Sequence, residues 1–197
     1  KVNYIEGPWD GWYSKIEGIQ KFINSCKEND IIVFLDAHDV MISNDLNELY
    51  DKFKSYNCDL LLGAELNCYP SFLKKDMDNI MPSDLKNKYV NSGGYIGYVK
   101  TIKQMLTWKD KNELIEICKS GGDQTYVMKF FIENYKNVNI KLDTKSLIFQ
   151  NMHLILWNEI KFINGKLYNT VMKTNPCFIH FNGGSWRTKT DNNIMPV

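Results

Sequence analysis

An α/β fold follows from two observations. The apolar runs Ile31-Ile32-Val33-Phe34-Leu35 and Leu60-Leu61-Leu62-Gly63-Ala64 each end on a carboxylate, Asp36 and Glu65. Runs this short are strand-sized, and the first, rich in β-branched residues, reads as a strand buried on both faces. Around them apolar residues recur at helical spacing, so strands alternate with helices and a parallel or mostly parallel sheet is expected.

In chain order, residues 2–5 read as a short strand and Gly7-Pro8-Trp9-Asp10-Gly11 as a loop. Ile16, Ile19, Phe22, Ile23 and Cys26 give the helical period of residues 13–27. After the turn holding Asp36 and Asp39, Leu46, Leu49, Tyr50 and Phe53 mark a helix behind a Ser43 or Asn44 cap. Residues 66–90, with Pro70 and Pro82, show no period and read as a long loop, functional or mobile. Asn91-Ser92-Gly93-Gly94 then precedes a strand at 95–99. This small, polar segment either lets backbone approach a ligand or makes a tight turn. Residues 101–108 and 114–118 read as helices, and Asp123 as the N-cap of a third with Tyr126, Val127, Phe130 and Phe131 inward. Short strands are expected at 139–142 and 147–149. A hairpin is expected over 159–168, its type I′ turn at Asn164-Gly165, and a last strand at 177–179 delivers His180.

The 197 residues, 44% hydrophobic, suffice for one substantial core. A net charge of +1 points to no polyanionic partner, and Arg187, the only arginine, argues against a nucleic-acid surface. Five cysteines without a C-x-x-C pair argue against a zinc site, a Cys58 to Cys68 loop closure staying open. There is no N-x-S/T acceptor, signal peptide or membrane-length apolar run. The chain begins in strand-like sequence and reads as a fragment.

Two Asp three residues apart at a strand end suit a hard cation with positions left for phosphate oxygens. They also suit a plain turn or helix cap. A sheet of this kind brings Asp36 with Asp39, Glu65, Asn91 with Ser92, and Asp123 with Gln124 to one edge. An imidazole at His180 completes a carboxylate site better for Mn²⁺ than for Mg²⁺, and His38 reads as a solvent-facing spacer. Such an ion across a nucleotide-sugar diphosphate assists departure of the nucleoside diphosphate, with Asp123 or Gln124 orienting the acceptor or steadying charge. Aspartate-nucleophile phosphatases also open on such a strand, but their second acid stands two residues on, not three. A binding or scaffolding domain with a vestigial metal site is the third reading.

Several segments, in order, resemble the glycosyltransferase domain of the lysyl hydroxylase/procollagen glycosyltransferase family, and more distantly collagen β-galactosyltransferases. They are Phe34-Leu35-Asp36-Ala37-His38-Asp39-Val40, Gly63-Ala64-Glu65 with Cys68-Tyr69-Pro70, Asn91-Ser92-Gly93-Gly94-Tyr95-Ile96-Gly97-Tyr98, Asp123-Gln124, the run from Leu142 to Asn151, and Ile179-His180-Phe181-Asn182-Gly183. The resemblance implies a GT-A-type, Rossmann-like mixed sheet flanked by helices, a Mn²⁺ ion and a UDP-sugar. It implies Asp36, Asp39 and His180 as metal ligands, Asn182 and Gly183 at the diphosphate, and Tyr69 near the donor. Asn91, Asp123 and Gln124 would line the sugar and acceptor side, with Glu65 and Ser92 among the donor-binding residues. The implied reaction moves glucose from UDP-glucose to galactosyl-hydroxylysine of collagen-like polypeptides, with UDP-galactose transfer to hydroxylysine as the close alternative.

The family's acidic run before Asp-Gln is Gly121-Gly122 here, and its lysine after His-x-Asn-Gly is Trp186, which leaves Arg187 or Lys189 to meet the diphosphate. The strand and helix that carry uracil contacts in such domains are not found before Lys1. One GT-A-type domain over residues 1–197, part of a larger multidomain protein, is expected. An endoplasmic-reticulum lumen or host-derived equivalent and a homodimer complete the expectations.

Overall fold

The computed structural model describes residues 2–183. Its main sheet has the order β1-β4-β3-β5, formed by Ile31–Leu35, Tyr89–Tyr98, Leu60–Glu65 and Ile140–Leu142. β3 and β5 pair parallel, whereas β4 runs antiparallel to both β1 and β3. The sheet is therefore mixed and flanked by helices, and the expectation of a mostly parallel sheet is corrected: β1, β3 and β5 share a direction around one reversed strand. Because β4 separates β1 from β3, it borders every strand end that carries the acidic residues.

β3 is buried along its whole length, and its alternating side chains divide the core. Leu60 and Leu62 pack with helices α1 (Trp12–Ile23), α4 (Val99–Leu106), α5 (Lys111–Lys119) and α6 (Gly122–Asn134). Leu61 clusters with Phe53 of α2 (Leu49–Ser55), Phe149 and Phe178. β1 is only half buried, not buried on both faces, because it is the outer strand.

A second sheet joins β2 (Val40–Ile42), β9 (Phe178–His180) and β6 (Phe149–Asn151), β9 lying antiparallel to β2 and parallel to β6. β2 is too short to announce itself by periodicity, yet it ties the acidic turn to the last strand. The hairpin of β7 (Ile160–Ile163) and β8 (Lys166–Asn169) turns on Asn164 (φ 53°) and Gly165 (φ 75°), as a type I′ turn requires.

Residues 2–5 form no strand; Val2 and Tyr4 are 75% and 79% exposed, and no described strand pairs with them. The segment 66–90 carries the helix α3 (Lys74–Ile80), anchored by Met77 and too short to show a period. Asp45, not Ser43 or Asn44, caps the turn leading into α2, accepting from Asn47 N at 2.9 Å. Cys58 and Cys68 are buried free thiols. Asn91-Ser92-Gly93-Gly94 lies inside β4, not in a turn before it. Leu62 opposes Tyr95 while Gly63 opposes Asn91, so Ser92, Gly93 and Gly94 bulge from the ladder with β3. Bulges of this kind bend a strand and re-aim its side chains beside functional sites.

Candidate active site

Asp36 follows β1 directly, and its N–H donates to Gly93 O at 2.9 Å, which sets it over the β4 bulge. Asp39 precedes β2, where Val40 pairs with His180 and Phe181 N donates to Asp39 O at 2.8 Å. This ladder carries the last strand's histidine to the acidic turn. His180 Nε2 lies 3.7 Å from Asp36 Oδ2 and 3.4 Å from Asp39 Oδ2. One ligand atom from each residue lies within 4.8 Å of the others, so the three positions nominated for a metal are brought together. His38 between the two acids is exposed.

The other face of the imidazole decides what Nε2 can do. Nδ1 lies 3.0 Å from Asn91 Oδ1 and 2.8 Å from Asn151 Oδ1. Both amides are oriented by what their nitrogens do: Asn91 Nδ2 donates to Glu65 Oε1 at 3.1 Å and Asn151 Nδ2 to Ala64 O at 2.9 Å. Two acceptors facing Nδ1 keep a proton there, so in the neutral ring Nε2 turns its lone pair toward the carboxylates. Two carboxylate oxygens and a lone-pair nitrogen fit a divalent cation. When the ring is doubly protonated, its hydrogen bond with Asp39 instead holds that carboxyl below the usual carboxylate range.

Gly93 makes room for this ring. A Cβ there would stand 2.1 Å from His180 Cε1 and 2.8 Å from Asp36 Oδ2. The glycines read as a place for ligand approach thus first admit the site's own side chains, Gly94 lying against the Phe149 ring.

Behind Asp36, Asp39 and His180 stands Glu65, 3% exposed at the end of β3. It accepts from Asn91 Nδ2 at 3.1 Å, Gln124 Nε2 at 3.0 Å and Asn182 Nδ2 at 2.8 Å. Burial pushes its carboxyl above the usual range, and the three amides oppose that. The remaining amide atoms are also engaged. Gln124 Nε2 donates to Tyr69 O at 2.8 Å, and Gln124 Oε1 accepts from Ser92 N at 3.2 Å. Asn182 Oδ1 accepts from Met152 N at 2.9 Å and His153 N at 3.1 Å. Glu65→Gln keeps the shape but sets an amide NH₂ against donors, so a stability loss of about 1–3 kcal/mol is expected in chemical denaturation. An unchanged midpoint would refute the three-donor arrangement.

Asp123 lies in the first turn of α6 with Gly121 at the N-cap, so its expected capping role is corrected. Its Oδ2 instead lies 2.7 Å from Lys15 Nζ, which also reaches Asp36 Oδ1 at 2.6 Å and sits 5.2 Å from the centre of the Phe34 ring. Burial works against the lysine's charge, but Asp123 and then Asp36 outweigh it and hold the ammonium above its ordinary range.

These groups open onto a cavity of about 430 Å³ that Tyr69, Ser92 and Gly183 also line. Arg187, expected at the diphosphate, lies outside the described residues. Sequence reasoning missed Lys15, Trp12, Asn151 and His153. Lys15 looks like any helical lysine, although its i, i+3 spacing from Trp12 puts both on one helix face. Asn151 carried a readable signal, a polar residue two positions beyond the apolar run Leu147-Ile148-Phe149.

The mixed sheet, its flanking helices and the polar strand ends define a GT-A glycosyltransferase fold. The structure aligns with the crystal structure of the galactosyltransferase LgtC in complex with donor and acceptor sugar analogues at a TM-score of 0.50 and 16% identity, covering 89% of this chain and 62% of that one. A family profile described as the PLOD GT domain matches residues 8–194, and the chain belongs to that family. Procollagen-lysine,2-oxoglutarate 5-dioxygenase of Drosophila melanogaster is 33% identical over 162 residues, 78% of this chain and 21% of its own length. Multifunctional procollagen lysine hydroxylase and glycosyltransferase LH3 of Homo sapiens is 30% identical over 164 residues, 80% of this chain and 21% of its own length. The chain thus spans about a fifth of the length of the curated relatives it matches. Among the described residues no helix is long and apolar enough to cross a membrane.

Proposed function

We propose that this chain transfers glucose from UDP-glucose to galactosyl-hydroxylysine of collagen-like polypeptides with the help of Mn²⁺. The observation that carries the reading is the convergence of Asp36, Asp39 and His180 with the Nδ1 proton pinned on the far side of the ring. The family match and the name of the human relative, which couples procollagen lysine hydroxylation with glycosyl transfer, support the substrate class.

Asp36, Asp39 and His180 hold the cation, and when bound it supplies Lewis acidity to the departing diphosphate. Asn91, Glu65, Gln124 and Asn182, whose polar atoms are committed within the protein, position His180 and the cavity wall. Gly183, Ser92 and Tyr69 offer backbone and ring surface to the donor. Asp123, paired with Lys15, is the carboxylate left to orient an acceptor hydroxyl or steady charge at the anomeric carbon.

Asp39→Ala is expected to abolish Mn²⁺-dependent UDP binding in calorimetry, since one of three protein ligands is lost. Unchanged binding would remove the site. Released UDP, measured across UDP-sugars with a galactosyl-hydroxylysine peptide, decides the donor. No release from any of them would leave only a binding role.

A further inference from the structure

We propose that Trp12 is the acceptor-side platform of this cavity, stacking against the apolar face of a pyranose, so that the group presented for transfer is a sugar and not a bare amino-acid side chain. The inference rests on the sugar-transfer reading of the site and assigns the residue that recognises the acceptor.

Trp12 opens α1 three residues before Lys15, on the same helix face. Lys15 runs inward to Asp36 and Asp123. Trp12 lies on the backbone of Gly122, the residue before Asp123, where a Cβ would stand 3.3 Å from its Cδ2 and 3.4 Å from its Cγ. Contacts therefore run from the Asp-Asp-His group through Lys15 and Asp123 to Gly122 and the indole, which puts Trp12 across Asp123 from the cation ligands. Gly122 has φ +78°, a conformation side chains rarely adopt, so the indole meets bare backbone.

On the other flank of the glycine pair, Gly121 packs against Pro70, with a Cβ placed 3.1 Å from the proline ring, and Tyr69 adjoins it. Trp12 and Tyr69 are 52% and 57% exposed and line one cavity, with Asp123, Gln124 and Asn67 also in its wall. Trp9 meets Trp12 edge-on, with ring centroids 5.1 Å apart and planes at 85°. A large aromatic side chain left half open at a polar cavity marks a recognition surface. A pyranose offers an apolar C–H face and a rim of hydroxyls, matching an indole beside a carboxylate and amides. A proline ring of the polypeptide offers the face without the hydroxyls.

Steady-state kinetics with UDP-glucose, Mn²⁺ and a galactosyl-hydroxylysine peptide test the proposal. Trp12→Ala is expected to raise the peptide KM about tenfold with kcat little changed, and Trp12→Phe to recover most of that loss. The same KM in Trp12→Ala and the unaltered chain would overturn the proposal, as would a fall confined to kcat or an equal KM rise with a peptide bearing hydroxylysine alone. UDP binding with Mn²⁺ to the unaltered chain, read by calorimetry, separates the two levels. Its absence sinks the sugar-transfer reading and the platform with it, whereas its presence with a Trp12-insensitive KM sinks the platform alone.

Discussion

Gly93→Ala is expected to lower Mn²⁺-dependent turnover by upward of roughly a hundredfold while leaving the secondary structure intact. The added methyl would stand 2.1 Å from His180 Cε1, inside the ring's own volume, and 2.8 Å from Asp36 Oδ2. The ring cannot slide away and keep its place, because Nδ1 is held by Asn91 and Asn151 and the backbone by both β2 and β6. Either His180 leaves the acidic pair or the β4 bulge shifts and moves Asp36, whose N–H donates to Gly93 O. Both outcomes pull the Asp-Asp-His group apart without emptying the main core. Mn²⁺ titration by calorimetry, with circular dichroism alongside, checks this. Full turnover in the alanine variant would show that the imidazole is dispensable to the cation.

Lys15→Met is expected to cost about 3 kcal/mol of stability, the lower end for breaking a buried ion pair by removing one partner. Asp123 is 7% exposed and Asp36 30% exposed at the side chain, so the first carboxylate is left without its cation while the second can still draw on water. For a chain of this size that loss lowers the melting temperature by roughly 6–12 °C. Added Mn²⁺ should restore part of the difference, because it compensates Asp36 and not Asp123. Turnover should fall as well, since Asp123 loses the ammonium that holds its side chain in place. A melt within about 2 °C of the unaltered chain would mean that solvent already screens the pair.

Asp36 and Asp39 were legible because strand ends in open α/β sheets announce themselves locally, as an apolar run stopped by acids. The Asn164-Gly165 turn was legible because its two positive φ angles belong to its own residues. The helix in 66–90 was not, since seven residues carry too little period, and neither was β2, whose three residues form a strand only because β9 lies beside them. The bulge in β4 was read as a segment ahead of the strand, a ligand approach or a tight turn, for a related reason. Small polar residues suit a bulge and a turn alike, and only the register against β3 separates them.

By itself the sequence determined the alternation of strands and helices, the acids at the ends of β1 and β3, the histidine closing the last strand, and the family these motifs resemble. The tertiary structure alone decided that β4 reverses between β1 and β3, that Lys15 joins Asp36 to Asp123, and that the amides of Asn91, Gln124 and Asn182 serve Glu65. The division follows from range. Period, turn chemistry and strand ends are written in neighbouring residues, whereas a buried charge or amide takes its role from whichever distant partner the fold sets within hydrogen-bond reach.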